Sequence, residues 1–296
     1  MKNIKAKKKK GVFMLDIWWV QIIIYLLAVV SYTQFFKAAT KKSKKDGALT
    51  VTLEVITSII MLAFIPFFEI KWATDVKVYL FTALAVIFYC MKDRMTTTVR
   101  RHLDTSTVNI LDQIVNVFMI LWGIVFFKEE VIFKKIIGAI LIILSNVMIF
   151  YKKGNFKLDR YVLLSILSNL ALSIALALNV DNSEKFNVAI YQVVTLMVPA
   201  ILIIIFEKIE WNDIKNEVKE GNKTAIFMTG ISWAVMIISQ LRAYQTGDIT
   251  TVAPLSAVSV ILNVIAGYFI SKEKENIVKK IIAGVIIVFS IFLIKG

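Results

Sequence analysis

At 296 residues, 58% hydrophobic and 19% charged, with a mean hydropathy of +0.74, the chain is too apolar for a water-soluble domain. Its net charge of +14 would suggest nucleic acid in a soluble protein, but the lysines lie mainly at the ends of long oily runs, where they meet lipid headgroups; no nucleic-acid partner is expected. A single cysteine, Cys90, and a single histidine, His102, exclude an intrachain disulfide, a thiolate cluster, a histidine metal site and the usual Ser-His-Asp machinery, so no metal, cofactor or enzymatic activity is expected.

In chain order, residues 1–10 form a polybasic tail. Leu15 to Phe36 is long enough to span a bilayer and has no small-residue cleavage site behind it, so it reads as a retained first helix and not as a signal peptide. Trp18 and Trp19 near its start fit an interfacial belt. The second span is expected at Ala48 to Phe68, with Glu54 and Pro66 inside it, and the third at Val78 to Val99, interrupted by Lys92, Asp93 and Arg94. Thr105 to Phe127, carrying Asp112, Gln113 and Asn116, is the fourth, and Phe133 to Tyr151 the fifth. The series then repeats at Tyr161 to Val180, Asn187 to Phe206, Ala225 to Tyr244, Ile249 to Ile270 and Ile277 to Ile294. The charge-rich, amphipathic stretch from Glu207 to Lys223 reads as a surface connector.

The repetition is literal in places. The segment from Leu103 and the segment from Gly247 superimpose with one single-residue gap: Asp104 falls on Asp248, Thr107 and Val108 on Thr251 and Val252, Gly123 on Gly267, and Lys128-Glu129 on Lys272-Glu273. Charges at fixed offsets are hard to obtain from two unrelated oily segments, which makes this an internal duplication. The second helices echo each other too, Glu54 aligning with Gln192 and Glu69 with Glu207. The expected fold is therefore an all-α integral membrane protein of ten transmembrane helices, in two units, 1–151 and 152–296. Five spans per unit return the chain to the opposite side, so the second unit enters inverted relative to the first.

The ten-span layout, the segment Leu241-Arg242-Ala243-Tyr244 followed by Val252-Ala253-Pro254-Leu255, and an acid (Glu129, Glu273) closing the fourth and ninth helices before a helix carrying Gly138 or Gly284 resemble the drug/metabolite transporter superfamily, specifically its EamA-type members. The likeness covers essentially the whole chain, and the superfamily also contains nucleotide-sugar-transporter-like relatives. It implies a metabolite transporter of the plasma membrane with both termini in the cytosol. Two departures stand out: the glycine usual before the closing acid is Lys128 or Lys272, and the third helix carries charges where the family is mostly apolar or aromatic.

Polar groups inside the spans are the candidate site. A charged side chain at the bilayer centre costs about 2.5 to 3.5 kcal/mol on insertion scales, so Lys92, Asp93 and Arg94 must find water or partners. At about 100° per residue they fan out and cannot all face one cavity. Lys92 and Arg94 either snorkel or face inward; Asp93 is too short to snorkel and is expected to pair across helices with Arg242. Glu54 sits deep enough for a desolvated carboxylate to take up a proton, as a coupling site or a structural acid, and its counterpart Gln192 has the same shape without the charge. Asp112, Gln113 and Asn116 share a helix face and form a polar strip that either lines a solute path or joins helices. Tyr89, Tyr191 and Tyr244 read as packing residues.

The expected function is a secondary transporter that moves a small polar or charged organic metabolite by alternating access. The excess of cations in the spans points to an amino acid or another anionic or zwitterionic solute. A lipid or drug exporter or flippase of the same architecture is the alternative, and a homodimer stays open. Lysines and arginines of the internal loops favour an outside amino terminus, whereas the tail favours an inside one.

Overall fold

A backbone surrounded by lipid has no hydrogen-bonding partner but itself, and long apolar runs therefore close into helices. The structure, a computed structural model, describes residues 17–126, 132–152, 155–156, 159–179, 185–246 and 255–295. These form α1 (Trp18–Lys42), α2 (Asp46–Leu62), α3 (Val76–His102), α4 (Thr105–Leu111), α5 (Ile114–Val125), α6 (Phe133–Phe150), α7 (Arg160–Asn179), α8 (Val188–Glu207), α9 (Trp211–Glu220), α10 (Lys223–Thr246), α11 (Ser259–Phe269) and α12 (Ile277–Lys295). A two-residue ladder, Tyr151–Lys152 against Asn155–Phe156, joins the two halves of the chain. Five helices, α1, α7, α8, α10 and α12, are long and apolar enough to cross a membrane.

Two expected spans end or break early. The second was expected to reach Phe68, but α2 stops at Leu62 and a 3₁₀ turn, Ile65–Phe67, follows. Pro66 lacks an N–H and disfavours helical geometry in the residue before it, which is tolerated at the start of a turn and not inside a helix. The fourth was expected to be continuous from Thr105 to Phe127; it is broken between α4 and α5 at Asp112 and Gln113, where Gln113 N–H reaches back only to the Ile110 carbonyl. The third runs past its expected end at Val99 to His102, which brings Arg100 inside the bundle.

The bundle is apolar without, and within it polar side chains are interspersed among apolar core clusters. Leu27, Leu80, Leu144, Leu163, Phe206 and Phe289 are exposed, while Thr52, Thr57, Thr229, Asn263 and Ser290 are buried. These buried hydroxyls and amides bond back to the carbonyl four residues earlier, and Asn263 also accepts from Thr33 of α1 and donates to Asn109 of α4. Helices pair as α1 with α10, α3 with α7, α2 with α8 and α6 with α12. Among lipid-embedded helices close approach depends on small residues. At Gly138 on α6 a Cβ would sit 2.8 Å from the Ser290 carbonyl oxygen of α12, whereas at Gly284 the nearest atom is a side-chain carbon of Ile261 at 3.2 Å. Gly138→Ala should therefore lower stability by about 1 to 3 kcal/mol through overpacking, and Gly284→Ala by less, as read from thermal unfolding in detergent.

One end of the bundle is tied by polar contacts. The α1–α2 loop docks on amphipathic α9, where Glu217 accepts from Ser43 Oγ (2.9 Å) and the Lys44 (3.1 Å) and Lys45 (3.3 Å) amides. Around it Lys44 pairs with Glu220 at 2.5 Å and Lys45 with Asp213 at 2.8 Å. The lysine hydrogen bonds hold Asp213 and Glu220 below the ordinary carboxylate range, and the Glu220 bond holds Lys44 above the ordinary amine range. The carboxylates' contribution is complete above the usual carboxylate range and lost as pH falls through their lowered values; that of Lys44 is lost as pH rises through its raised value. The distance between spin labels at positions 42 and 216 should thus broaden at both pH extremes and in high salt, staying narrow between.

Candidate functional site

Between the helices lies a cavity of about 360 Å³, within the range of small-molecule pockets. Its wall draws on α1 (Tyr25, Tyr32, Thr33), α3 (Lys92, Thr96, Arg100), α4 and α5 (Asn109, Gln113, Asn116) with Asp112 at their junction, α7 (Ser168, Asn169) and α10 (Trp233, Gln240). Asp112, Gln113 and Asn116, expected as one strip on one helix, all line the cavity from the interrupted segment.

Arg100 is the central cation. It is 4% exposed, lies over the rings of Tyr32 (5.2 Å) and Phe36 (5.3 Å), and places one Nη 3.6 Å from the Asp112 carboxylate. Its Nε and other Nη have no acceptor among the described residues. Asn169 donates to Asp112 (3.4 Å) and to the Leu111 carbonyl (3.3 Å). Lys92 also faces the cavity, its ammonium 2.6 Å from Asp93 and 5.5 Å from the centre of the Trp233 ring. The lining thus carries two cations against one carboxylate, with amides around them. Guanidinium and ammonium groups hold a carboxylate or phosphate, and Asp112 can hold an ammonium.

Behind this wall lies a second polar group. Glu54 is fully buried and faces Asp93, itself 5% exposed, one turn along α2 and α3 from the bonded hydroxyls of Thr50 and Thr97. Arg242 is not there. The expected Asp93–Arg242 pair is replaced by Asp93–Lys92, because Arg242 sits near the far end of α10, bonds the Phe67 carbonyl at 2.8 Å and covers the Phe68 ring at 4.6 Å. Arg94 points to the tied end, where it pairs with Glu207 at the end of α8. Gln192 is apart from the cavity, in contact with Thr195 (3.4 Å) one turn away. Of the packing aromatics, Tyr191 stacks on Phe186 at 5.6 Å; the side chain of Tyr244 lies outside the described residues.

Sequence reasoning missed Arg100, Tyr32 and Asn169. Arg100 was read as part of a loop beyond the third span, and Asn169 is a lone amide in an apolar run, a signal that was available.

The tied end also contains the duplicated acid. Glu273 is buried and accepts from the Thr105 amide (2.7 Å), the Ser106 amide (3.1 Å) and Ser106 Oγ (2.5 Å). Beside it Lys280 reaches Asp104 at 2.9 Å, and Lys37 donates to the carbonyls of Arg101 (3.0 Å) and Leu103 (2.7 Å). Gly267 explains one duplicated glycine, since a Cβ there would lie 2.7 Å from Glu273 Oε2. Lys272, just before the duplicated acid, has φ 58°, a left-handed conformation that a β-carbon disfavours by about 1 to 2 kcal/mol. Lys272→Gly should recover roughly 1 kcal/mol of stability, visible as a rise in thermal midpoint. The counterparts Lys128 and Glu129, and Val252-Ala253-Pro254, lie outside the described residues.

No family model matches the chain, and no curated protein matches it. Twenty-four chains of solved structures match it. One of them, described only as "Crystal structure of protein", is 14% identical and aligns with a TM-score of 0.52 over 93% of this chain and 97% of that one, a likeness of fold alone.

Proposed function

We propose that this chain is a secondary transporter of a small anionic or zwitterionic metabolite, an EamA-like membrane protein whose ten spans form two inverted five-helix units, 1–151 and 152–296. The observation that carries the reading is the 360 Å³ cavity, lined by Lys92, Arg100, Asp112 and a ring of amides, in the middle of a bundle with a lipid-compatible exterior. Buried ionisable groups in such a setting mark a solute path.

The pattern of helix contacts supports the two-unit arrangement, and the odd number of proposed spans per unit makes it an inverted one. Exchange of the two units turns the α1–α10 contact into α7–α3 and the α2–α10 contact into α8–α3, and both members of each pair are present; α2–α8 and α6–α12 map onto themselves. A pseudo-twofold relation of this kind supplies two conformations of similar energy, each closed at one end. The tied end, with Glu273 on Ser106 and Lys280 on Asp104, is then a closed gate. Both termini are assigned to the cytosol of a cell whose plasma membrane holds the protein; impermeant labelling of cysteines placed at Ser43 and Lys295 tests that assignment.

The direct test is counterflow in proteoliposomes loaded with amino acids, sugar phosphates or labelled lipid. Accelerated exchange of a carboxylate- or phosphate-bearing soluble solute is expected. Movement of labelled lipid or cationic drugs alone would replace the solute reading with that of a flippase or drug exporter.

A further inference from the structure

The interior behind the cavity contains more negative charge than it can balance. Glu54 on α2 is 0% exposed, neither of its carboxyl oxygens has a hydrogen-bond donor among the described residues, and it faces Asp93 of α3, each one turn along its helix from the Thr50–Thr97 hydroxyl contact that joins the two. Two carboxylates facing each other repel and offer each other only acceptors; one proton between them supplies a donor and removes one charge. The surroundings provide a single balancing cation. Near the pair are Lys92 and Cys90 from α3 and Tyr32 from α1, while Glu207 at the end of α8 lies against Gly47 at the start of α2 and is bonded to Arg94. Helix α10 contributes uncharged Trp233 there and carries its charges, Lys223 and Arg242, near its two ends, while α9 engages its acids with Ser43, Lys44 and Lys45 at the surface. Two carboxylates and one ammonium leave a net charge of minus one.

A metal cation is the wrong shape of answer. The gap bounded by Thr50, Asp93, Thr97 and Trp233 has a volume of about 0 Å³ for a water-sized occupant, and the hydroxyls of Thr50 and Thr97 bond each other at 2.7 Å instead of pointing at a common centre. A sodium ion needs several oxygens around it, and the Lys92 ammonium already holds the accessible side of Asp93. A proton needs no room.

We propose that Glu54 and Asp93 form a proton-binding site holding one proton between them, and that Lys92 links its occupancy to that of the cavity. Lys92 is the physical link because the same ammonium that bonds Asp93 lines the cavity over Trp233. An anionic solute that draws Lys92 away leaves the carboxyl pair without its cation and strengthens its hold on the proton. By reciprocity, the loaded proton frees Lys92 for the solute. The site itself stands on the geometry of the pair, and its link to solute rests on the transport reading above.

The two parts are separable by experiment. Difference infrared spectroscopy of the full chain in lipid nanodiscs, stepped from acid to alkaline pH without solute, should show one protonated-carboxyl carbonyl band that disappears on deprotonation. Glu54→Gln, which has the shape of the repeat counterpart Gln192, should abolish that band, and Asp93→Asn should shift or abolish it. A band unchanged in both variants overturns the proton site, and so does a band displaced by sodium ions at constant pH. The link is read in proteoliposomes: solute uptake by the wild type should rise several-fold under an inward proton gradient, and Glu54→Gln should exchange solute while ignoring the gradient. Gradient-independent uptake by the wild type overturns the link. If no solute is moved at all, the transport reading fails while the infrared result still decides the proton site.

Discussion

Arg100→Met should weaken solute binding at least about a hundredfold, some 3 kcal/mol, because a guanidinium buried among rings and amides is worth most to an anion that has no water to compete with it. The side chain is positioned before any solute arrives: Tyr32 and Phe36 lie under the guanidinium, and Asp112 holds one Nη. Those contacts leave Nε and the other Nη without acceptors among the described residues, donors that an incoming carboxylate or phosphate would satisfy. Methionine keeps the volume and loses the donors. Arg100→Lys separates charge from geometry, since it retains the charge as a point; it should recover part of the affinity and little of the selectivity among carboxylates. The same change leaves Asp112 with Asn169 as its polar neighbour, so a loss of thermal stability is expected alongside. Asp112→Asn provides the complementary test. It should reduce affinity for zwitterions and leave simple carboxylates nearly unaffected, as read by calorimetric titration. Unchanged binding in Arg100→Met would remove the cavity from the solute path.

Helix positions were legible because each oily run is bounded by charge: Lys41 and Lys42 end α1, Arg100 to His102 end α3, and α9 starts with the box formed by Glu210 and Asp213. The duplication made the closing acid visible, Glu273 with Gly267 six residues before it, but not the surface it closes on. The break at Asp112 and Gln113 was hidden for a physical reason. Neither glycine nor proline marks it, and the kink arises where polar side chains meet a cavity that only the neighbouring helices create. The partner of Asp93 was misread because adjacent residues on a helix diverge by about 100° and a partner was sought across helices; the long stem of Lys92 folds back to the carboxylate nonetheless. Arg100 was missed because a cation at a helix end is ordinarily the one that reaches the headgroups. Its burial depends on α1 and α7 standing on either side, a fact of packing that no local pattern records.

Glu273→Gln should shift the balance between closed and open forms of the tied end by about thirtyfold towards open, the equivalent of some 2 kcal/mol. The wild-type carboxylate receives two backbone amides and a hydroxyl from the first turn of α4, and hydrogen bonds to a charged acceptor are worth roughly twice those to a neutral one. Glutamine keeps the shape and one acceptor oxygen while giving up the charge. The readout is the labelling rate of a cysteine at Asn109, on the cavity wall, in a Cys90→Ser background with an impermeant reagent supplied only from the tied side. Gly267→Ala approaches the same contact from behind, because its added carbon would displace Glu273 Oε2, and it should accelerate labelling in the same direction. The pair Lys280–Asp104 is untouched by either change, so the end loosens without unfolding. The inverted repeat proposed above adds a prediction of opposite sign. Glu129 aligns with Glu273, and Ile249 and Thr250 align with Thr105 and Ser106, so Glu129→Gln should loosen the far end and slow labelling from the tied side. Two acids that move one equilibrium in opposite directions are what a pair of alternating gates requires; equal effects, or none, would leave Glu273 a structural clamp.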